Sequence, residues 1–156
     1  VMRFVSEEDL KQQFWRMYKG RSSILASSFE HQARHGGVDL LTVERVANRD
    51  GKGDRIEFCS FEFKLADIEK AFAQANINSQ FCHKNFIVVP IEKKKVIEDR
   101  YGEYLKRYPS IGCIGVYHPD DGGRWDMFHK ARAKRDEELT LNQNVIKLCL
   151  LNTKSL

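Results

Sequence analysis

Two stretches decide how this chain reads: Gly37-Val38-Asp39-Leu40-Leu41-Thr42-Val43 and Phe61-Glu62-Phe63-Lys64-Leu65. Between them lies Asn48-Arg49-Asp50-Gly51-Lys52-Gly53-Asp54, a cluster of turn-forming residues. Strands over 38–43 and 55–65 therefore form a hairpin whose turn centres near Asp50 and Gly51. Residues equidistant from that centre face one another, so Asp39 falls opposite Glu62, Leu41 opposite Ser60 and Val43 opposite Phe58. Cross-strand neighbours have Cβ atoms roughly 4.5–5.5 Å apart. Side chains two apart on a strand share a side, which groups Lys64 with Glu62. One side of the hairpin then reads Ile56, Phe58, Val43 and Leu41, and ends in Asp39, Glu62 and Lys64. A slip of one residue would send Asp39 to the other face, so the register carries the whole reading.

Outward from the hairpin, Ser6-Glu7-Glu8-Asp9 reads as a capped helix start, and Leu10, Phe14 and Met17 recur at helical spacing until Gly20. A first strand is expected over 27–32, with His35-Gly36-Gly37 as a turn. On the other side, Asp67 reads as an N-cap, and Ile68, Ala71, Phe72, Ala75 and Cys82 trace one helix face. Asn85-Phe86-Ile87-Val88-Val89-Pro90 is the continuously apolar run of a strand buried in a parallel sheet. Strand, helix and buried strand make a right-handed crossover. A second helix is expected over 93–108, ended by Pro109, then a hairpin over 111–130 with Pro119-Asp120-Asp121-Gly122-Gly123 as its turn, then a last helix over 137–151. The order is helix, three strands, helix, strand, helix, hairpin. It predicts an α/β fold with a mixed central sheet flanked by helices, as one domain over 1–156 with its core over about 6–130 and an extension over 131–156.

Composition sets outer bounds. The 156 residues carry 42% apolar and 31% charged side chains, which suits one globular domain with a core of its own. No apolar run approaches the roughly 20 residues of a membrane span, and no signal-like segment is visible near the first residues. Val1 before Met2 reads either as a cloning remnant or as part of a longer chain. The four cysteines (Cys59, Cys82, Cys113 and Cys149) lie far apart without a C-x-x-C pair, so a reducing, cytoplasmic setting is expected rather than a disulfide framework or a zinc site. A net charge of +4 permits a polyanionic partner without requiring one.

Two carboxylates as close as Asp39 and Glu62 repel each other and lose hydration, and neither cost is tolerated without a compensating charge. Lys64 balances one unit; a divalent cation would balance the rest, and oxygen donors suit Mg²⁺ or Mn²⁺ rather than zinc. The plainer alternative is an exposed strand end with a solvated Glu–Lys pair of little consequence.

Asp39 in its strand, Glu62-Phe63-Lys64 on the next, a helix carrying Gln74, and the apolar strand Phe86-Ile87-Val88-Val89-Pro90 together resemble the PD-(D/E)XK nuclease superfamily, with its restriction-endonuclease-like αβββαβ core. The resemblance covers about 30–90 and extends to the 111–123 segment. It departs from the named pattern at Val38, which stands where the Pro would be. It implies a metal-dependent DNA endonuclease in which Asp39, Glu62 and the Phe63 carbonyl ligate Mg²⁺ or Mn²⁺. Lys64 would orient or deprotonate the attacking water. Gln74 matches a helix glutamine that some members place near the site, and Glu30 would add an outer carboxylate. The expected partner is DNA, with a homodimer or a partner subunit in view, and repair, recombination or structure-selective processing as the setting. The alternative is a nuclease-like fold that binds DNA or assembles proteins with little catalysis.

Other features rank lower. Lys130, Arg132, Lys134 and Arg135 form the densest basic patch and suit a DNA backbone, though Asp136, Glu137 and Glu138 follow at once. His31 and His35 have a spacing that would suit zinc only on a helix, which the Gly-Gly turn argues against. Gly51-Lys52-Gly53 lacks the remainder of a phosphate loop and reads as a hairpin turn. Trp15, Tyr18, Phe72 and Phe81 read as core.

Overall fold

A computed structural model describes residues 3–29 and 38–153, with backbone only for 151–153. The expected strand over 38–43 and its partner are present as β2 (Leu40–Ala47) and β3 (Asp54–Phe63), antiparallel, with Leu40 opposite Phe61, Leu41 opposite Ser60 and Val43 opposite Phe58. That is the register read from the turn. Its tip closes through the Asn48 N–H to the Gly53 carbonyl at 3.1 Å, with Gly51 and Gly53 at φ 73° and 72°, where a side chain would be strained.

Helix α1 (Glu7–Tyr18) starts where expected. Ser6 Oγ accepts the Asp9 N–H at 3.1 Å, and three acids occupy the first turn at the positive end of the helix dipole. Strand β1 (Ile24–Phe29) begins three residues before the expected 27–32 and pairs with β2 through a bulge between Ile24 and Ala26. The expected turn at 35–37 lies outside the described residues. Helix α2 (Ile68–Asn78) follows β3, but Asp67 does not cap it: the residue stands at φ 57° with no side-chain hydrogen bond to the helix's first N–H groups, and its carboxylate meets Lys70 Nζ at 3.3 Å instead. The helix also stops at Asn78, so Cys82 belongs to a separate apolar group with Val38, Leu41 and Val43.

Strand β4 (Lys84–Pro90) runs parallel to β3, and β5 (Ile111–Val116) parallel to β4, with α3 (Lys94–Arg107) between them. Strand β6 (Trp125–His129) returns antiparallel to β5. The result is a six-stranded mixed sheet in chain order, β1 to β6. The expected tail helix is shorter and later: a 3-10 turn at Asp136–Glu138 precedes α4 (Gln143–Thr153).

Helices cover both faces. Phe14 and Tyr18 of α1 pack on Leu40, Phe61, Phe63, Phe86 and Val88. On the opposite face, α2 and α3 bury Phe72, Ala75 and Ile97 against Ile87, Val89 and Cys113. Successive residues of β4 thus face different cores, which is why its sequence is apolar without alternation. Helix α4 covers Val38, Leu41 and Val43 with Val145 and Leu148. The four cysteines are free thiols, and among the described residues no helix is long and apolar enough to cross a membrane.

Candidate active site

Asp39 sits one residue before β2, a step beyond the Leu40–Phe61 pair and so opposite Glu62. The two are tied reciprocally. Asp39 Oδ2 accepts the Phe63 N–H at 3.0 Å, and the Asp39 N–H points to Glu62 Oε1 at 3.4 Å. The first bond uses a backbone donor left over where the ladder ends. It turns the Asp39 side chain across the hairpin towards its neighbour.

Glu62 is 3% exposed and faces α2. Its Oε1 accepts from Asn78 Nδ2 at 2.9 Å, and Asn78, itself fully buried, accepts from Gln74 Nε2 at 3.0 Å. A polar chain thus runs from α2 into the sheet: Gln74, Asn78, Glu62, Asp39. Burial, and then the Asp39 carboxyl close enough to share a proton, push the Glu62 carboxyl up to about 8; the Asn78 amide opposes them. Such a carboxyl pair holds a proton or a cation near neutral pH.

The expected residues are only partly assembled. Asp39 and Glu62 meet, and Gln74 reaches Glu62 through Asn78 rather than directly. Phe63, whose carbonyl is the expected further ligand, has its N–H on Asp39. Lys64 departs from expectation. Strand β3 ends at Phe63, so pleat alternation no longer fixes the next side chain. Lys64 donates its backbone N–H to the Val88 carbonyl at 3.1 Å, while its ammonium lies 4.0 Å from Glu7 Oε1 at the start of α1. Its ion-pair partner is therefore Glu7, and neither Asp39 nor Glu62 lies within 4.0 Å of the ammonium. Glu30, His31 and His35 lie outside the described residues.

The oxygen donors fit a hard cation that keeps several waters and takes one or two carboxylates, the habit of Mg²⁺. Among the described residues, no group of three or more His, Cys, Asp or Glu side chains is gathered closely enough to hold a metal, so protein donors beyond the pair would be backbone oxygens.

Lys130, Arg132, Lys134 and Arg135 are not neighbours of this pair. The Lys134 N–H bonds the His83 carbonyl at 3.0 Å and the His83 N–H bonds the Phe58 carbonyl at 2.8 Å, which anchors the segment beside the early part of β3. Phe58 and Glu62 are separated by ~13 Å of strand. Lys134 Nζ is bound to the Ser79 carbonyl at 2.5 Å, and Arg135 pairs with Glu138 at 3.1 Å.

Three features escaped the sequence reading. Asn78 is one helical turn beyond Gln74, and that i, i+4 spacing was its only signal. Glu44 and Glu57 form a second buried acidic couple, directly opposite one another on the α1 face. The same hairpin arithmetic would have found them. Both carboxylates are already compensated there: Glu57 by Arg55 at 2.9 Å and Lys84 at 2.8 Å, Glu44 by the hydroxyls of Tyr18 at 2.9 Å and Thr42 at 2.6 Å. Finally, His83 Nδ1 accepts the Phe58 N–H at 2.8 Å, leaving Nε2 to donate to Asp136 at 2.7 Å. Both ring nitrogens are occupied, so this histidine clasps the chain and has no free base.

Comparison with known protein families, with curated proteins and with solved structures finds no match for this chain.

Proposed function

We propose that Asp39, Glu62 and Lys64 form the site of a divalent-metal-dependent DNA endonuclease on a restriction-endonuclease-like core. One observation carries the reading: two carboxyl groups from adjoining strands meet beside the end of β3, one of them buried and raised to about 8, with no cationic side chain within salt-bridge distance among the described residues. A cation is the compensation that this arrangement lacks. The order helix, three strands, helix, parallel strand supports the same core.

Asp39 and Glu62 would hold Mg²⁺ or Mn²⁺, with the Phe63 carbonyl as a further donor. Bound there, the ion supplies a hydroxide near neutral pH and offsets the charge added at phosphorus. The chain's own part is positional. The Phe63 N–H fixes one Asp39 oxygen, and the Gln74–Asn78 pair fixes one Glu62 oxygen, so the remaining oxygens are presented without rotamer search. Lys64, on a flexible four-carbon stem, would leave Glu7 and place its ammonium against the attacking water or the phosphoryl oxygens. The reading extends to structure-selective or repair-type cleavage of DNA, by a homodimer or together with a partner subunit.

The second reading is a nuclease-like DNA-binding or assembly module. The Lys64–Glu7 contact favours it, because the ammonium of the third expected residue pairs with Glu7 and with neither acid. The test is calorimetry with Mn²⁺, then incubation of plasmid, single-stranded and branched DNA with Mg²⁺ or Mn²⁺, for the wild type, Asp39→Asn, Glu62→Gln and Lys64→Ala. An endonuclease binds Mn²⁺ through both acids and cuts only when Lys64 is present. Metal binding without cutting supports the module. Cutting undiminished in Lys64→Ala, or Mn²⁺ affinity unchanged in both acid variants, overturns the assignment.

A further inference from the structure

The segment after β6 reads Lys130-Ala131-Arg132-Ala133-Lys134-Arg135, small and cationic residues in alternation. It runs across the beginnings of β4 and β5 as an extended strap. Two alternate N–H groups pin it: Arg132 to the Pro109 carbonyl at 2.7 Å and Lys134 to the His83 carbonyl at 3.0 Å. Ala131 packs against the core beneath α1. The alternation therefore turns small side chains inward at the strap's start while Lys130 and Arg132 are exposed.

A cavity opens on each side of the strap, of about 450 Å³ and 490 Å³. The first adds Arg49, Arg55 and Lys84 to the strap's own cations, and the second adds Arg107. Two of the acids among their walls are paired with cations, Glu57 with Arg55 and Lys84 and Glu138 with Arg135, while Asp136 accepts a hydrogen bond from His83. Among the described residues, Arg49, Arg107 and Arg132 have no carboxylate within 4.0 Å, and all three are exposed. Arg107 lies over the Tyr108 ring at 5.8 Å, which orients its guanidinium without neutralising it.

We propose that this strap and its two cavities are a clamp for the phosphodiester backbone of DNA, separate from the acid pair at the other end of β3. The occupant follows from the walls. Guanidinium forks on either side of an extended backbone match a strand carrying a charge every ~3.4 Å. An acidic protein partner would call for large apolar anchors, and the strap offers alanines. The clamp rests on the nucleic-acid reading for its partner's class, but not on the acid pair for its existence.

The test measures binding of the full chain in EDTA, where no cutting contributes. A fluorescent single-stranded 20-mer and its duplex are titrated by anisotropy at several salt concentrations, with polyglutamate of equal charge as competitor. The proteins are wild type and the triple variant Arg49→Ala/Arg107→Ala/Arg132→Ala. These arginines are exposed, and circular dichroism checks the fold. The triple variant should bind at least tenfold more weakly, and its slope of log K against log salt should be shallower by about 2 to 3, near 0.9 for each lost phosphate contact. Unchanged affinity and slope in the triple variant overturn the clamp, as does absence of DNA binding by the wild type or equal competition by polyglutamate. Failure of the acid pair as a nuclease site would instead show as DNA bound but uncut with Mg²⁺, leaving these binding results unaltered.

Discussion

Asp39 and Glu62 hold one another across the end of the β2–β3 hairpin. The backbone N–H of Asp39 points to the Glu62 carboxyl at 3.4 Å, and the backbone N–H next to Glu62, that of Phe63, grips the Asp39 carboxylate at 3.0 Å. Each acid is thus oriented by the other's strand. Their spacing is a property of the sheet rather than of two flexible side chains, and the repulsion between them is built into the fold.

Burial of Glu62, and then that repulsion, make stability depend on pH in a defined direction. The Glu62 carboxyl titrates near 8 in the folded chain, against an ordinary glutamate value of about 4.3 when unfolded. The fold therefore favours the protonated form, and its contribution is complete below about 4.3 and lost as pH rises through 8. In EDTA, the melting temperature of the wild type should fall relative to that of Glu62→Gln across this window. Adding Mn²⁺ at pH 8 should restore it for the wild type alone. Parallel melting curves for the two proteins from pH 5 to 8 would refute the assignment.

Asn78 is fully buried and links Gln74 to Glu62. Asn78→Ala removes one partner from each neighbour, and stability should drop by about 1–3 kcal/mol, the usual cost of orphaned buried polar groups. Mn²⁺ affinity should fall as well, because Glu62 loses its orientation. Denaturant titration and calorimetry check the two effects separately; a stability loss with unchanged metal affinity would confine Asn78 to a packing role.

The Lys64–Glu7 pair is long and partly exposed, at 4.0 Å with side-chain exposures of 27% and 49%. Breaking it should hardly change stability, by under about 1 kcal/mol. Its effect belongs to the site: Glu7→Gln frees the ammonium and should raise the rate of DNA cleavage where the wild type cuts. A rate equal to that of the wild type would mean that Glu7 does not restrain Lys64.

Two glycines separate packing from propensity. A Cβ added at Gly112 would stand 2.9 Å from the Ala131 backbone nitrogen and 2.8 Å from the Phe86 ring, whereas at Gly102, inside α3, it meets nothing within 4 Å. Gly112→Ala should destabilise by about 1–3 kcal/mol, and Gly102→Ala should stabilise by about 0.5–1 kcal/mol. Thermal denaturation of both variants tests the strap's close approach to β5: a neutral Gly112→Ala would show that the strap can lift away.

Much of the sheet was legible beforehand because its signals are local. The apolar run at 85–90, the turn residues at 48–54 and the capped start at Ser6 each act within a few residues, and the strands and helices formed there. The misreadings sit where tertiary forces replaced local ones. Asp67 has the composition of an N-cap, yet its backbone stands at φ 57° and its carboxylate turns to Lys70. Cys82 fits the periodicity of α2, yet the helix ends at Asn78 and the thiol is buried under α4.

The amino-acid order alone determined that residues 39 and 62 would face each other, because a hairpin's register follows from its turn and its two-residue pleat. Only the folded chain decided what surrounds them: Asn78 brought under Glu62 by α2, Lys64 drawn towards Glu7 by α1, and the basic strap carried to the far end of β3 by Pro109 and His83. Those placements join segments distant along the chain. They follow from how helices pack on a completed sheet, which no local pattern specifies.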